Sequence, residues 1–140
     1  LTRNTMIIKH KGNDNMIEYT VKVYSNGTKA WWLNGELHRE DGPAIEGSDG
    51  TKAWYLNGER HREDGPAYEG SSGNKEWYLN GELHREDGPA YEGSSGYKSW
   101  RLNGEMLTEE EFNSRMNPKP SCNGKVVVID GKQYKLTEVE

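Results

Sequence analysis

Short runs of β-forming residues alternate with turn residues along most of this chain. KEWYL (75–79) is one such run. Asn80-Gly81 closes it, and ELHR (82–85) returns. An Asn-Gly pair between two such runs predicts a two-residue hairpin, because both central positions of a type I′ turn need positive φ. Trp31, Trp54, Trp77 and Trp100 stand 23 residues apart, and so do Asn34-Gly35, Asn57-Gly58, Asn80-Gly81 and Asn103-Gly104. A fixed period of this size predicts a stacked array of small units. HREDGPA follows the return run three times, at 38–44, 61–67 and 84–90.

Each period carries three turn signals: Asn-Gly, Asp-Gly-Pro, and a Gly-Ser-x-Gly stretch. Three full reversals would make successive copies run in opposite directions, which a simple stack cannot do. Asp-Gly-Pro is therefore read as a bend, since Pro removes a ladder donor. Each copy is then a β-hairpin plus a corner. A two-residue loop at Asn57-Gly58 places Leu56 opposite Glu59, Tyr55 opposite Arg60, and Trp54 opposite His61. A two-residue loop at Asp49-Gly50 would place Trp54 opposite Ile45. On that reading Ile45, Trp54 and His61 share one face, as do Tyr68, Trp77 and His84. Trp32, Tyr55 and Tyr78 then occupy the other face. Cross-strand aromatic pairs contribute about 0.2–1 kcal/mol each.

The two ends depart from the period, as capping requires. Residues 6–27 read as N-terminal capping strands, 28–106 as the tandem hairpins, 107–117 as a capping helix, and 125–138 as a terminal hairpin. Thr108 followed by Glu111 is a capping box, which predicts a helix over about 109–116. The terminal hairpin is expected to set Val126–Ile129 against residues 133–136 around Asp130-Gly131. The whole reads as one mainly all-β domain, an elongated antiparallel hairpin array.

Composition narrows the functional classes. Of 140 residues, 31% are hydrophobic, and five Trp and eight Tyr stand against one Phe. Apolar area is thus concentrated in large rings with polar tips. The net charge of −5 argues against a nucleic-acid backbone binder. A single cysteine, Cys122, excludes an internal disulfide and fits a reducing cytosol. No apolar run is long enough for a membrane span, and LTRNTMIIKHKG lacks a signal-peptide core. A cytoplasmic location is the expectation.

His38, His61 and His84 could suggest a metal. A two-strand unit advances about 9–10 Å per copy, however, far beyond shared coordination at about 2.0–2.1 Å. They are read as structural, packing on Trp and donating to a backbone carbonyl, with no metal and no cofactor. Trp31, Trp54, Trp77, Trp100, Asn34, Gly35, Asn57, Gly58, Asn80 and Gly81 are read as structural too. Arg39, Glu40 and Asp41, with their equivalents, are expected to form ion-pair ladders at the corner. No nucleophile has a special partner, so no catalytic residue is assigned. A thin sheet cannot bury both of its faces, which leaves aromatic rows as binding anchors. The candidates are Trp32, Tyr55, Tyr78, Tyr68 and Tyr91, rimmed by Arg39, Arg62, Arg85, Glu40, Glu63 and Glu86.

The string WYLNGELHREDGPAYE resembles the short W-x-x-N-G-x-x-H-R-x-D-G-P-A repeats of tailed-phage, giant-virus and some bacterial proteins. These are similar in kind to MORN-type hairpin repeats. The resemblance covers residues 25–105, and LTEEEF and VVVIDGKQYKL look like tails that recur in such phage proteins. It implies a hairpin stack used for interaction, and a phage-encoded modulator of a bacterial host or defence protein. The alternative is a sequestering protein that holds small molecules or metal in repeated His/Trp/Tyr pockets. Oligomeric state is left open.

Overall fold

The computed structural model describes residues 2–11, 16–119 and 124–137. Cys122 lies outside the described residues. The chain opens with β1 (Thr2–Lys11) and β2 (Met16–Tyr24). The first copy supplies β3 (Lys29–Leu33), β4 (Glu36–Leu37) and β5 (Ile45–Glu46). The second supplies β6 (Lys52–Ala53), β7 (Tyr55–Leu56), β8 (Glu59–Arg60) and β9 (Tyr68–Glu69). The third repeats this as β10 (Lys75–Glu76), β11 (Tyr78–Leu79), β12 (Glu82–Leu83) and β13 (Tyr91–Glu92). Then come β14 (Lys98–Leu102), β15 (Glu105–Leu107), the helix α1 (Glu109–Met116), and β16 (Val126–Ile129) with β17 (Lys132–Lys135).

The fold is the expected all-β hairpin array. One antiparallel sheet runs β1-β2-β3-β5-β6-β9-β10-β13-β14-β15, with β4 beside β3. The first strand starts earlier than the expected residue 6, pairing from Thr2 against Tyr24. β4 and β5 lie along the same edge of β3, opposite Trp32–Leu33 and Lys29–Ala30 respectively. Between them residues 38–44 leave the sheet and return. The Trp31 carbonyl accepts from His38 N at 3.1 Å, and Trp31 N donates to Ala44 O at 2.8 Å. The strand is interrupted and not reversed, so Asp-Gly-Pro is a bend.

The Asn-Gly hairpins follow the expected register, Tyr55 opposite Arg60 and Leu56 opposite Glu59. Asn57 has φ 50 and Gly58 φ 79, both positive as a type I′ turn requires. The second turn corrects the sequence reading. Gly47 N donates to Thr51 O at 2.7 Å, and only Gly50 in that loop has positive φ, at 92. The loop therefore holds three residues, and Ile45 faces Ala53, not Trp54. A one-residue slip moves a strand's side chains to the other face. Ile45, Tyr68 and Tyr91 thus leave the Trp face and join Tyr55 and Tyr78.

Burial is thin and follows the repeat. Ala44, Ala67 and Ala90 are fully buried, and Ala30 and Ala53 nearly so. Small residues let the loop strand lie close against the Trp strand. Tyr19 and Val21 are buried at the first end, Leu107 and Phe112 at the last. The capping box is present: Glu111 N donates to Thr108 Oγ1 at 3.1 Å, and Thr108 N to Glu111 Oε2 at 2.8 Å. Arg115 grips Glu105 through two bonds of 2.8 and 2.9 Å, tying α1 to β15. The terminal hairpin forms one residue out of the expected register. The two-residue Asp130-Gly131 turn sets Ile129 directly opposite Lys132.

Candidate functional site

Two faces of the sheet carry the side chains singled out in the sequence. The first is the loop face, where HREDGPA leaves the sheet. Arg39, Arg62 and Arg85 lie over the rings of Trp31, Trp54 and Trp77, with guanidinium carbons 4.1, 4.0 and 3.9 Å from the centroids. In the second copy Arg62 Nε donates to Asp64 at 2.8 Å, and Nη1 donates to Pro66 O at 3.1 Å and to Glu69 at 3.2 Å. The other copies repeat this set. The arginines expected at a binding rim are thus held by their own loops. Glycine follows the Asp for a steric reason. A Cβ on Gly65 would stand 3.1 Å from the Arg62 guanidinium carbon.

The histidines work in the opposite sense to the one expected. His38 Nδ1 accepts from the backbone N–H of Asn57 at 2.9 Å, His61 from Asn80 at 3.1 Å, and His84 from Asn103 at 3.0 Å. Each fastens one copy to the Asn-Gly turn of the next. The Asn-Gly turn of the next copy presents its backbone N–H groups toward the His and the residue before it. Gly58 N also donates to Leu37 O at 2.9 Å, and Arg39 N to Tyr55 O at 3.0 Å. Glu40, Glu63 and Glu86 sit exposed at 3.7, 3.7 and 3.6 Å from the His Nε2 atoms. Asp64 and Asp87 are held below the usual carboxylate range, first by their hydrogen bonds from Arg62 and Arg85. Among the described residues no three His, Cys, Asp or Glu side chains come together as a metal-sized group.

The second face is aromatic. Trp32, Tyr55, Tyr78, Tyr68 and Tyr91 all lie on it, each half-buried. Lys22 stands 4.6 Å from the Trp32 centroid. Tyr91 and Tyr97 meet with centroids 5.8 Å apart. At the centre sits a pair that the sequence reading passed over. Arg60 Nη1 donates to Glu76 at 2.9 Å, and Nε donates to the Tyr55 hydroxyl at 3.1 Å. Its guanidinium carbon is 4.9 Å from the Tyr68 centroid and 5.2 Å from that of Tyr78. Burial, then the Glu76 charge, push the Tyr78 phenol above its ordinary range. The signal was available in the sequence. Arg60 replaces the Leu of Leu37 and Leu83, and Glu76 replaces the Ala of Ala30 and Ala53. Two departures from one repeat meet in space.

No helix among the described residues is long and apolar enough to cross a membrane. No protein-family model, curated protein or solved structure matches the chain.

Proposed function

We propose that this chain is a non-enzymatic protein-binding repeat protein, and that the aromatic face is its contact surface. One observation carries the reading. Trp32, Tyr55, Tyr68, Tyr78 and Tyr91 are half-buried side chains on a single face that spans the copies. Large rings with polar tips on a rigid sheet are the residues that dominate binding energy in protein interfaces. The loop face offers less, because its arginines, and its histidines through Nδ1, are engaged in internal bonds. Its outer carboxylates are solvated, and solvated charges contribute little.

The motif resemblance extends the proposal to a bacterial host or defence protein as partner and to a phage-encoded modulator acting in the cytoplasm. The test is affinity capture from bacterial lysate, followed by binding measurements on the recovered protein. Tyr55→Ala and Tyr78→Ala should each weaken binding by about 2 kcal/mol or more. Glu63→Ala should leave it close to the parent's. Well-folded Tyr variants that bind as the parent does, with Glu63→Ala or His61→Ala alone abolishing binding, would overturn the proposal.

A further inference from the structure

The copies part company at one end of the aromatic face. In the central copies the Glu76 carboxylate meets the Arg60 guanidinium at 2.9 Å among Tyr55, Tyr68 and Tyr78. One period later, Leu83 stands for Arg60, Ser99 for Glu76, Arg101 for Tyr78, and Tyr91 for Tyr68. A cation is kept, moved to another strand position. The carboxylate is gone. In its place is a hollow of about 230 Å³ lined by Leu83, Tyr91, Tyr97, Ser99 and Arg101. That is smaller than the roughly 300–1,000 Å³ of sites for drug-sized ligands, and suits a single functional group on a short stem.

Two polar atoms beside this hollow have no partner. Ser99 is 8% exposed, and its buried hydroxyl makes no hydrogen bond. Arg101 Nε is buried and unmatched as well, although Nη1 of the same side chain donates to Gly104 O at 3.1 Å. Buried polar groups are almost always matched, so two unmatched donors two positions apart on one strand single this place out. Arg is a permanent cation with donors only, and a serine hydroxyl can donate beside it. A charged acceptor bonded by both would be held by the stronger, charge-assisted kind of bond.

We propose that the hollow beside the Tyr91–Tyr97 pair binds a carboxylate group, with Arg101 Nε–H and the Ser99 hydroxyl as donors once Tyr97 turns aside, and the two rings along its rim. Both donors are covered, so Tyr97, which is 60% exposed, is the side chain that would move on entry. Exposed side chains change rotamer within nanoseconds. The carboxylate could belong to a free aromatic acid or to a glutamate side chain of a polypeptide. The hollow would take a free acid even if the aromatic face bound no protein.

The experiment titrates isotopically labelled protein with benzoate, acetate and a doubly blocked glutamate, with benzamide as the neutral control. The Arg101 Nε–H resonance is the readout. Saturable shifts in the millimolar range are expected from the carboxylates and not from benzamide. Benzoate binding more tightly than blocked glutamate marks a free aromatic acid as the source, and the reverse order marks an acidic side chain. Ser99→Glu restores the third copy's carboxylate and should reduce benzoate binding at least tenfold. Ser99→Ala, a smaller change to the fold, should weaken it several-fold. The proposal is overturned if no carboxylate gives saturable shifts, so that the hollow takes only water. It is also overturned if benzamide binds as well as benzoate, or if a folded Ser99→Glu or Ser99→Ala protein binds benzoate like the parent.

Discussion

The loop face and the aromatic face are built from the same strands, yet they treat repetition differently. On the loop face, Trp, His, Arg, Glu, Asp, Gly, Pro and Ala recur without change in three copies, and the same bonds recur with them. Across the sheet, equivalent positions drift: Trp32, Tyr55, Tyr78, Arg101 in one row, and Ala30, Ala53, Glu76, Ser99 in the next. Stacking requires each copy to present the same lock to its neighbour. A binding surface has no such requirement. Invariance here therefore marks architecture; under the proposed function, variation marks the surface on which a partner is distinguished.

The sharpest way to break this contrast is on the loop face. Arg62→Ala removes the bonds to Asp64, Pro66 O and Glu69 and the contact with Trp54, and should cost about 2–4 kcal/mol in chemical denaturation. Gly58→Val should follow at more than about 1 kcal/mol, since a β-branched residue resists the positive φ of that turn. An unchanged midpoint for either would remove the loop lock or the turn from the account. On the aromatic face, by contrast, the paired change Arg60→Leu with Glu76→Ala restores the residues of neighbouring copies. Replacing both members of a part-buried ion pair should shift stability by less than about 1 kcal/mol. A large loss would make that pair part of the architecture.

The smallest expected effect is on pH. Asp64 and Asp87 have folded pKa values below their unfolded ones, chiefly through the Arg62 and Arg85 bonds. Such groups add stability that is present above the unfolded value, about 3.9 for Asp, and lost as pH falls through the folded value. Acid unfolding curves should therefore show a gentle decline below about pH 4, and Asp64→Asn should make it shallower.

Much of the architecture was legible because it rests on local turn chemistry. Asn57-Gly58 fixed its own hairpin register, Thr108 and Glu111 fixed the start of the helix, and Pro43 argued correctly for a bend. What escaped depended on one residue of loop length or on contacts between copies. Gly-Ser-x-Gly reads equally as a two- or a three-residue loop, and the difference moved Ile45, Tyr68 and Tyr91 to another face. His61 accepts and does not donate, because its partner, the N–H of Asn80, belongs to the next copy, which local pairing does not reveal. The full burial of Ala67 escapes a reading that looks for apolar area in large rings. Arg60 and Glu76 lie 16 positions apart, and only the fold brings them together.

The division of labour between the faces is tested most directly by one paired measurement. Tyr55→Ala, Tyr78→Ala and Arg62→Ala are each assayed for unfolding free energy and for affinity toward the protein captured from lysate. The expected result is a crossed pattern: the tyrosine variants fold near the parent's stability and lose binding, while the folded fraction of Arg62→Ala binds normally but unfolds early. Tyrosine variants that are folded and bind fully, with binding lost in folded Arg62→Ala, would contradict the account and place the contact surface on the loop face.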